Sequence, residues 1–262
     1  MKPEHFLAQH GLFTRAELAA ALPERSAGTL NAHLARWRKQ GRVVRVKNEL
    51  YVRKDPASDL PPAPDFIALA SRMAPDAAVS HHTALEAHGC AQSLFTRLTF
   101  VTWTRTKAVE FLGHSLVPVR PRVALARSGR GEEWIETLDR DALAVRVTSL
   151  ERTLVDVLDR PSLAGGMEEV WRSLAALPAV DPVALLDYVR VLRNKTVAAR
   201  VGYFLESRRE ELAVPSSTLD ALQDLLPGHP VHMERALGGR LNRRWRLFVP
   251  VELAGPPEEA DA

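Results

Sequence analysis

The sequence predicts an α+β protein in two parts: a small helical part closed by a β-hairpin, then a larger mixed α/β part with a strand-rich first half and a helix-rich second half. Three observations predict it. Within residues 1–54, three short helical patterns give way to a two-strand pattern. Residues 55–65 then read DPASDLPPAPD, too rich in proline for a helix or a central strand. Beyond them a run of strand-like segments precedes a run of helix-like ones, an order that favours α+β over a doubly wound sheet. At 262 residues with 46% hydrophobic content, the chain can fill a core in each part.

The first helix starts at Pro3 and carries Phe6 and Leu7 before Gly11. Thr14 and Glu17 form a capping box that opens a second helix, Arg15 to Ala21, which Pro23 ends. Ser26 caps a third helix running to Gln40, with Gly41 just past its end. Arg42 to Val46 and Leu50 to Val52, joined by Lys47-Asn48-Glu49, read as a hairpin. Three helices followed by a hairpin in about 50 residues is the order of a winged helix-turn-helix. The expected division is therefore a DNA-binding domain at 1–54, a linker at 55–65 that buries little, a C-terminal domain at 66–255 and an acidic tail at 256–262.

In the larger part, Phe66–Met73 and Ser80–His88 read as helices. Leu98–Trp103, Val109–Leu112, Ser115–Val119, Trp134–Thr137 and Ala144–Val147 read as strands. Helices are expected at Leu150–Leu158, Met167–Leu177, Val183–Leu192, Val197–Leu205 and Ser217–Leu226. Val231–Glu234 and Trp245–Val249 are expected as a final strand pair.

The net charge of +3 is unevenly placed. Residues 1–54 hold 11 Lys and Arg against 4 Asp and Glu, whereas residues 55–262 hold 24 against 28. Eight of those 11 cations lie between Arg36 and Lys54, where Glu49 is the only acid. Such a cluster suits neutralisation of phosphates. On the third helix Leu30, Leu34 and Trp37 recur at i, i+4 and i+7 and mark the buried stripe. Rotation by 100° per residue then points Gly28, Ala32, Ala35 and Lys39 outward, flanked by Thr29, Arg36 and Asn31. Such a face enters a major groove, where Asn pairs with adenine and Arg with guanine or phosphate. The expected double-stranded-DNA contacts are Ser26, Thr29, Asn31, Ala32, Arg36 and Lys39 on the helix, and Arg42, Arg45, Lys47 and Asn48 on the wing.

Other chemistry is sparse. His81, His82, Glu86 and His88 form the densest cluster, but HExxH is absent and packing histidines are expected. Gly165-Gly166 lacks a phosphate-binding motif and reads as a turn before a helix. Glu151, Asp156 and Asp159 alternate with Arg152 and Arg160, as on a salt-bridged helix surface. Arg105, Lys107, Arg120, Arg122, Arg127 and Arg130 surround the strands, leaving open a solvated surface or a contact with an acidic partner or nucleic acid. No catalytic set, metal site or cofactor is expected. The single Cys90 excludes an internal disulfide, no segment approaches the ~18 apolar residues of a membrane span, and Met1–His10 lacks the order of a signal peptide. A cytoplasmic protein without a membrane partner is expected.

Taken together, TLNAHLARWRKQGRVVRVKNELYV at 29–52, SHHTALEAHG at 80–89, VTSLERTLVDVLDRP at 147–161 with the nearby GGMEEV, and RVGYFLE at 200–206 resemble the AbiE-type antitoxins, the AbiEi family. The resemblance spans most of the chain and departs at the wing, where NEL occupies 48–50 in place of a glycine before the aromatic residue. It implies a phage-defence regulator whose first domain binds inverted repeats in its own promoter and represses the operon. Its second domain would counter a nucleotidyltransferase-like toxin, with no stable complex required. Two other readings stay open: a stand-alone repressor with a ligand-sensing second domain, and a DNA-targeted enzyme such as a nuclease.

Overall fold

A computed structural model describes residues 1–55, 57–58, 61–234 and 238–253. The acidic tail at 256–262 and residues 56, 59 and 60 of the proline-rich segment lie outside the described residues. The chain is α+β, as its element order predicts. It divides into two compact units that interleave in sequence. The first comprises Met1–Ala78, Thr96–Val119 and Asp139–Val145; the second comprises Val79–Phe95, Arg120–Leu138 and the chain from Arg146 onward. The sequence boundary at 55–65 thus falls inside the first unit.

The first unit begins with α1 (Pro3–Gln9), β1 (Leu12–Thr14), α2 (Arg15–Ala21), α3 (Ala27–Lys39), β2 (Val43–Lys47) and β3 (Leu50–Arg53). The Thr14–Glu17 capping box and the Ser26 cap form as expected. Gly41 takes a left-handed φ of 70° after α3, where a side chain would strain the backbone. The strand β1 was not expected: Leu12-Phe13 falls between the first two helical patterns, yet it pairs antiparallel with β3, Leu12 opposite Val52. The sheet order is β1-β3-β2. Phe6, Leu7, Phe13, Leu18, Leu22, Leu30, Leu34, Trp37, Val43 and Tyr51 close the core beneath it.

The rest of this unit adds α4 (Phe66–Ser71), capped by Asp65, and three strands in the order β6-β7-β5. Strands β5 (Arg97–Val101) and β7 (His114–Val119) run parallel, and β6 (Val109–Phe111) pairs antiparallel with β7. The winged helix is tied to these elements. Glu17 pairs with Arg72 at 3.4 Å, Lys47 donates to the Met73 carbonyl, and β6 touches β2. The division between units passes through β4 (Ala78–Val79), β8 (Ile135–Arg140) and β9 (Leu143–Thr148), which lie in the order β4-β9-β8.

The second unit is mainly helical: α5 (His82–Ala87), α6 (Val123–Ser128), α7 (Leu150–Asp159), α8 (Met167–Leu174), α9 (Pro182–Leu192), α10 (Lys195–Ser207) and α11 (Ser216–Gln223). Helix α6 and β4 were not among the expected elements; the two residues of β4 are too few to show a period. The expected final pair forms as β10 (Val231–His232) parallel to β12 (Leu247–Val249), with β11 (Arg240–Asn242) added antiparallel to β12. Among the described residues, no helix is long and apolar enough to cross a membrane.

Helix α7 is the central element, packed by α5, α8, α9 and α10. Its charges were expected on a salt-bridged surface, and the structure corrects this: Arg152, Asp156 and Asp159 are buried. Burial on every side forces their charges to be matched internally. The Arg152 guanidinium donates to Asp156 at 3.3 Å and to the Gly131 carbonyl at 3.0 Å. Asp156 also accepts the Tyr188 hydroxyl at 2.7 Å, and Asp159 takes two hydrogen bonds from Arg122 and one from Asn194.

Candidate nucleic-acid interface

The outer face of α3 is built by its inner one. Because Leu30, Leu34 and Trp37 are buried, Gly28, Ala32, Ala35 and Lys39 are exposed, as rotation predicts. Ser26 accepts the Thr29 backbone N–H at 3.2 Å and lies 3.0 Å from the Thr29 hydroxyl, which fixes the N-terminal turn of α3. Asn31 is exposed, and its carbonyl oxygen accepts a hydrogen bond from Arg15 Nε at 2.9 Å. Its amide N–H groups therefore point the other way. Arg36 lies 3.3 Å from His33 Nδ1, and burial followed by the charges of Arg36 and Arg25 holds His33 below the usual imidazole range. A neutral His33 accepts from that guanidinium rather than repelling it.

Between α3 and the wing lies an open groove of about 760 Å3, lined by Arg15, Asn31, Arg45, Lys47, Asn48, Glu49 and Tyr51. Four of the ten expected contacts therefore meet at one place: Asn31, Arg45, Lys47 and Asn48. Arg15, at the first position of α2, was missed because nothing in the sequence places it beside Asn31, 16 residues away. The wing turn resolves the absent glycine. Glu49 itself takes the left-handed conformation, φ 62°, that a glycine adopts at less cost.

Not all the basic residues face outward. Arg42 pairs with Glu4 at 2.6 Å, and the same carboxylate accepts Trp37 Nε1 at 3.1 Å. Those hydrogen bonds hold Glu4 below the usual carboxylate range and turn Arg42 away from the groove. Arg53 is exposed, but its guanidinium donates to the Leu7 and Ala8 carbonyls. Lys47 borders the groove but is half-buried, and desolvation pushes its ammonium below the usual range. Exposed cations remain at Arg36, Arg38, Lys39 and Arg45.

The motifs of the second unit form no comparable surface. His82 is buried, stacks on Phe95 and lies 3.4 Å from Glu169, while His88 Nε2 is 2.8 Å from the Thr148 carbonyl oxygen. Gly165 and Gly166 make the expected turn into α8, with φ 85° and 100°. Gly202 supports Trp245: a Cβ there would sit 1.9 Å from the indole ring. Among the described residues, no group of three or more His, Cys, Asp or Glu is placed to hold a metal.

No family model matches the chain, and neither does any curated protein. Among solved structures, that of the RV2827C protein from Mycobacterium tuberculosis is similar in fold. Its TM-score is 0.60 at 16% identity, over 94% of this chain and 89% of that one.

Proposed function

We propose that the protein is a DNA-binding transcriptional regulator that places α3 in the major groove and the β2–β3 wing on the flanking backbone. The observation that carries this reading is the exposed small and polar face of α3 opening onto a groove that Arg15, Arg45 and Asn48 also line. Phosphate contacts fix position, whereas contacts to base edges carry sequence information. In this reading Arg36, Lys39 and Arg45 hold the duplex, while Thr29 and Asn31 read it. The resemblance in the motifs of both units supports a more specific role: an AbiE-type antitoxin that represses its own operon and counters a nucleotidyltransferase-like toxin encoded beside it.

The test of DNA binding is affinity for a duplex from upstream of the protein's own gene, measured from 50 to 300 mM salt. Contact of the winged helix alone with about four phosphates gives a slope of log K against log salt of roughly −3.5, and any further contact steepens it. A salt-independent affinity overturns DNA binding. The antitoxin role is tested separately, by growth rescue of cells expressing the neighbouring gene. A variant with Arg36, Lys39 and Arg45 all changed to Ala is expected to lose promoter binding and still rescue. Failure to rescue at matched expression reduces the protein to a repressor.

A further inference from the structure

We propose that the loop between β5 and β6, residues 102–108, is a second contact with the same duplex; the proposal rests on the DNA-binding reading above. The segment reads TWTRTKA and exposes Trp103, Arg105 and Lys107. Trp103 is 38% exposed, unlike the fully buried Trp37 and Trp245. Neither Arg105 nor Lys107 has an acidic partner among the described residues. Of the basic residues first grouped with them, Arg122 pairs with Asp159 and Arg130 with Glu133 and Asp187.

The loop is built rather than loose. Asp76 accepts the Thr102 hydroxyl at 2.6 Å, the Trp103 backbone N–H at 2.6 Å and the Thr104 N–H at 3.3 Å. The Thr104 N–H also reaches the Thr102 hydroxyl at 3.0 Å. Burial opposes the charge on Asp76, but these hydrogen bonds outweigh it and hold the carboxyl below its usual range. One ionised carboxylate thus fixes the base of the loop and leaves its cations outward.

Its position selects the partner. Asp76 lies in the turn between α4 and β4, and the wing's Lys47 donates to Met73 in that same turn. The loop runs directly into β6, which touches wing strand β2. The wing and the base of the loop therefore meet the same turn, and in this proposal a duplex held by the wing extends to the loop. There Arg105 and Lys107 neutralise two further phosphates, and the Trp103 indole packs against sugar or base.

The experiment is anisotropy of the full chain on a 30-base-pair duplex from upstream of its own gene, across 50 to 300 mM salt. Arg105→Ala with Lys107→Ala is expected to cut the salt slope by about 1.8 and weaken binding roughly tenfold or more near 0.1 M salt. Trp103→Phe is expected to abolish the DNA-induced change in tryptophan emission. All three side chains are exposed, so unchanged thermal melting confirms folded variants. If Arg45→Ala lowers the slope and the double variant does not, the loop proposal is overturned while DNA binding stands. If the wild-type chain shows no salt-dependent binding, both fall. A double variant that binds DNA normally but no longer retains an acidic polypeptide such as polyglutamate would reassign the loop to a protein partner.

Discussion

The winged helix and helix α7 are both rich in charge and use it in opposite directions. On α7, Arg152 and Asp156 are each 2% exposed at the side chain, and their bonds to each other, Tyr188 and Gly131 are internal. On α3 and the wing, Arg36, Lys39, Arg45 and Asn48 are exposed. Burial decides the difference: a helix packed on every side must match its charges within the protein, whereas a helix packed along one stripe leaves them to solvent. A dense polar motif can therefore be wholly spent inside the protein, whereas cations opposite an apolar stripe stay accessible.

The sharpest test of this contrast is Asp156→Ala. It strands the buried Arg152 charge and the Tyr188 hydroxyl, and removing one partner of a buried pair costs about 3–5 kcal/mol. Urea unfolding is expected to show that loss, with DNA affinity per folded molecule unchanged. A variant of wild-type stability that lost DNA binding would place function in the α7 network and reverse the comparison.

Gly202→Ala probes the same unit by packing alone. The added Cβ meets Trp245, whose Nε1 is held by Glu206 at 2.5 Å, so the ring has little freedom to yield. Overpacking of this kind costs roughly 1–3 kcal/mol. An unchanged melting temperature would show that the indole moves aside.

Local features were legible and tertiary ones were not. The Thr14–Glu17 box, the Ser26 cap and the Leu30-Leu34-Trp37 stripe depend on neighbours within a few turns, so spacing alone reveals them. β1 depends on β3, some 40 residues later, and three residues cannot show a period. The same distance hides which cations are spent. Arg42, Lys47 and Arg53 look equivalent to Arg45 in sequence, but Glu4, the Met73 carbonyl and the Leu7 and Ala8 carbonyls take them. The buried ion pairs of α7 were misread as a wet face because alternating acids and bases look alike in either setting. Asp76 carried no local signal, since it acts on a loop 26 residues away.

The proposed DNA binding makes reading separable from holding within the winged helix. Thr29→Ala or Asn31→Ala is expected to reduce operator preference by ~1–3 kcal/mol while sparing non-specific affinity. Arg45→Ala is expected to weaken all duplexes alike. Competition between operator and scrambled duplexes separates the two. Because Arg15 shares the Asn31 carbonyl oxygen, Arg15→Ala should resemble Asn31→Ala more than Arg45→Ala.

The smallest expected effect is at Glu49, where the wing carries both an unfavourable backbone and an unfavourable charge. Its φ of 62° strains a side chain, and its carboxylate is the only acid between Arg36 and Lys54. Arg15 offsets that charge weakly, at 4.0 Å and with Glu49 70% exposed. Two substitutions separate the contributions. Glu49→Gln removes the charge and keeps the strain, so DNA binding is expected to tighten a few-fold with stability nearly constant, within the ~0.2–1 kcal/mol of exposed ion pairs. Glu49→Gly removes both, so binding should tighten similarly and the melting temperature should rise, relief of the left-handed residue contributing up to about 1 kcal/mol. Paired melts and anisotropy titrations on the two variants check this. If both weaken binding, Glu49 serves DNA recognition by holding Arg15 at the groove, and this exposed acid belongs with the internally matched charges of α7 rather than with the open face of the winged helix.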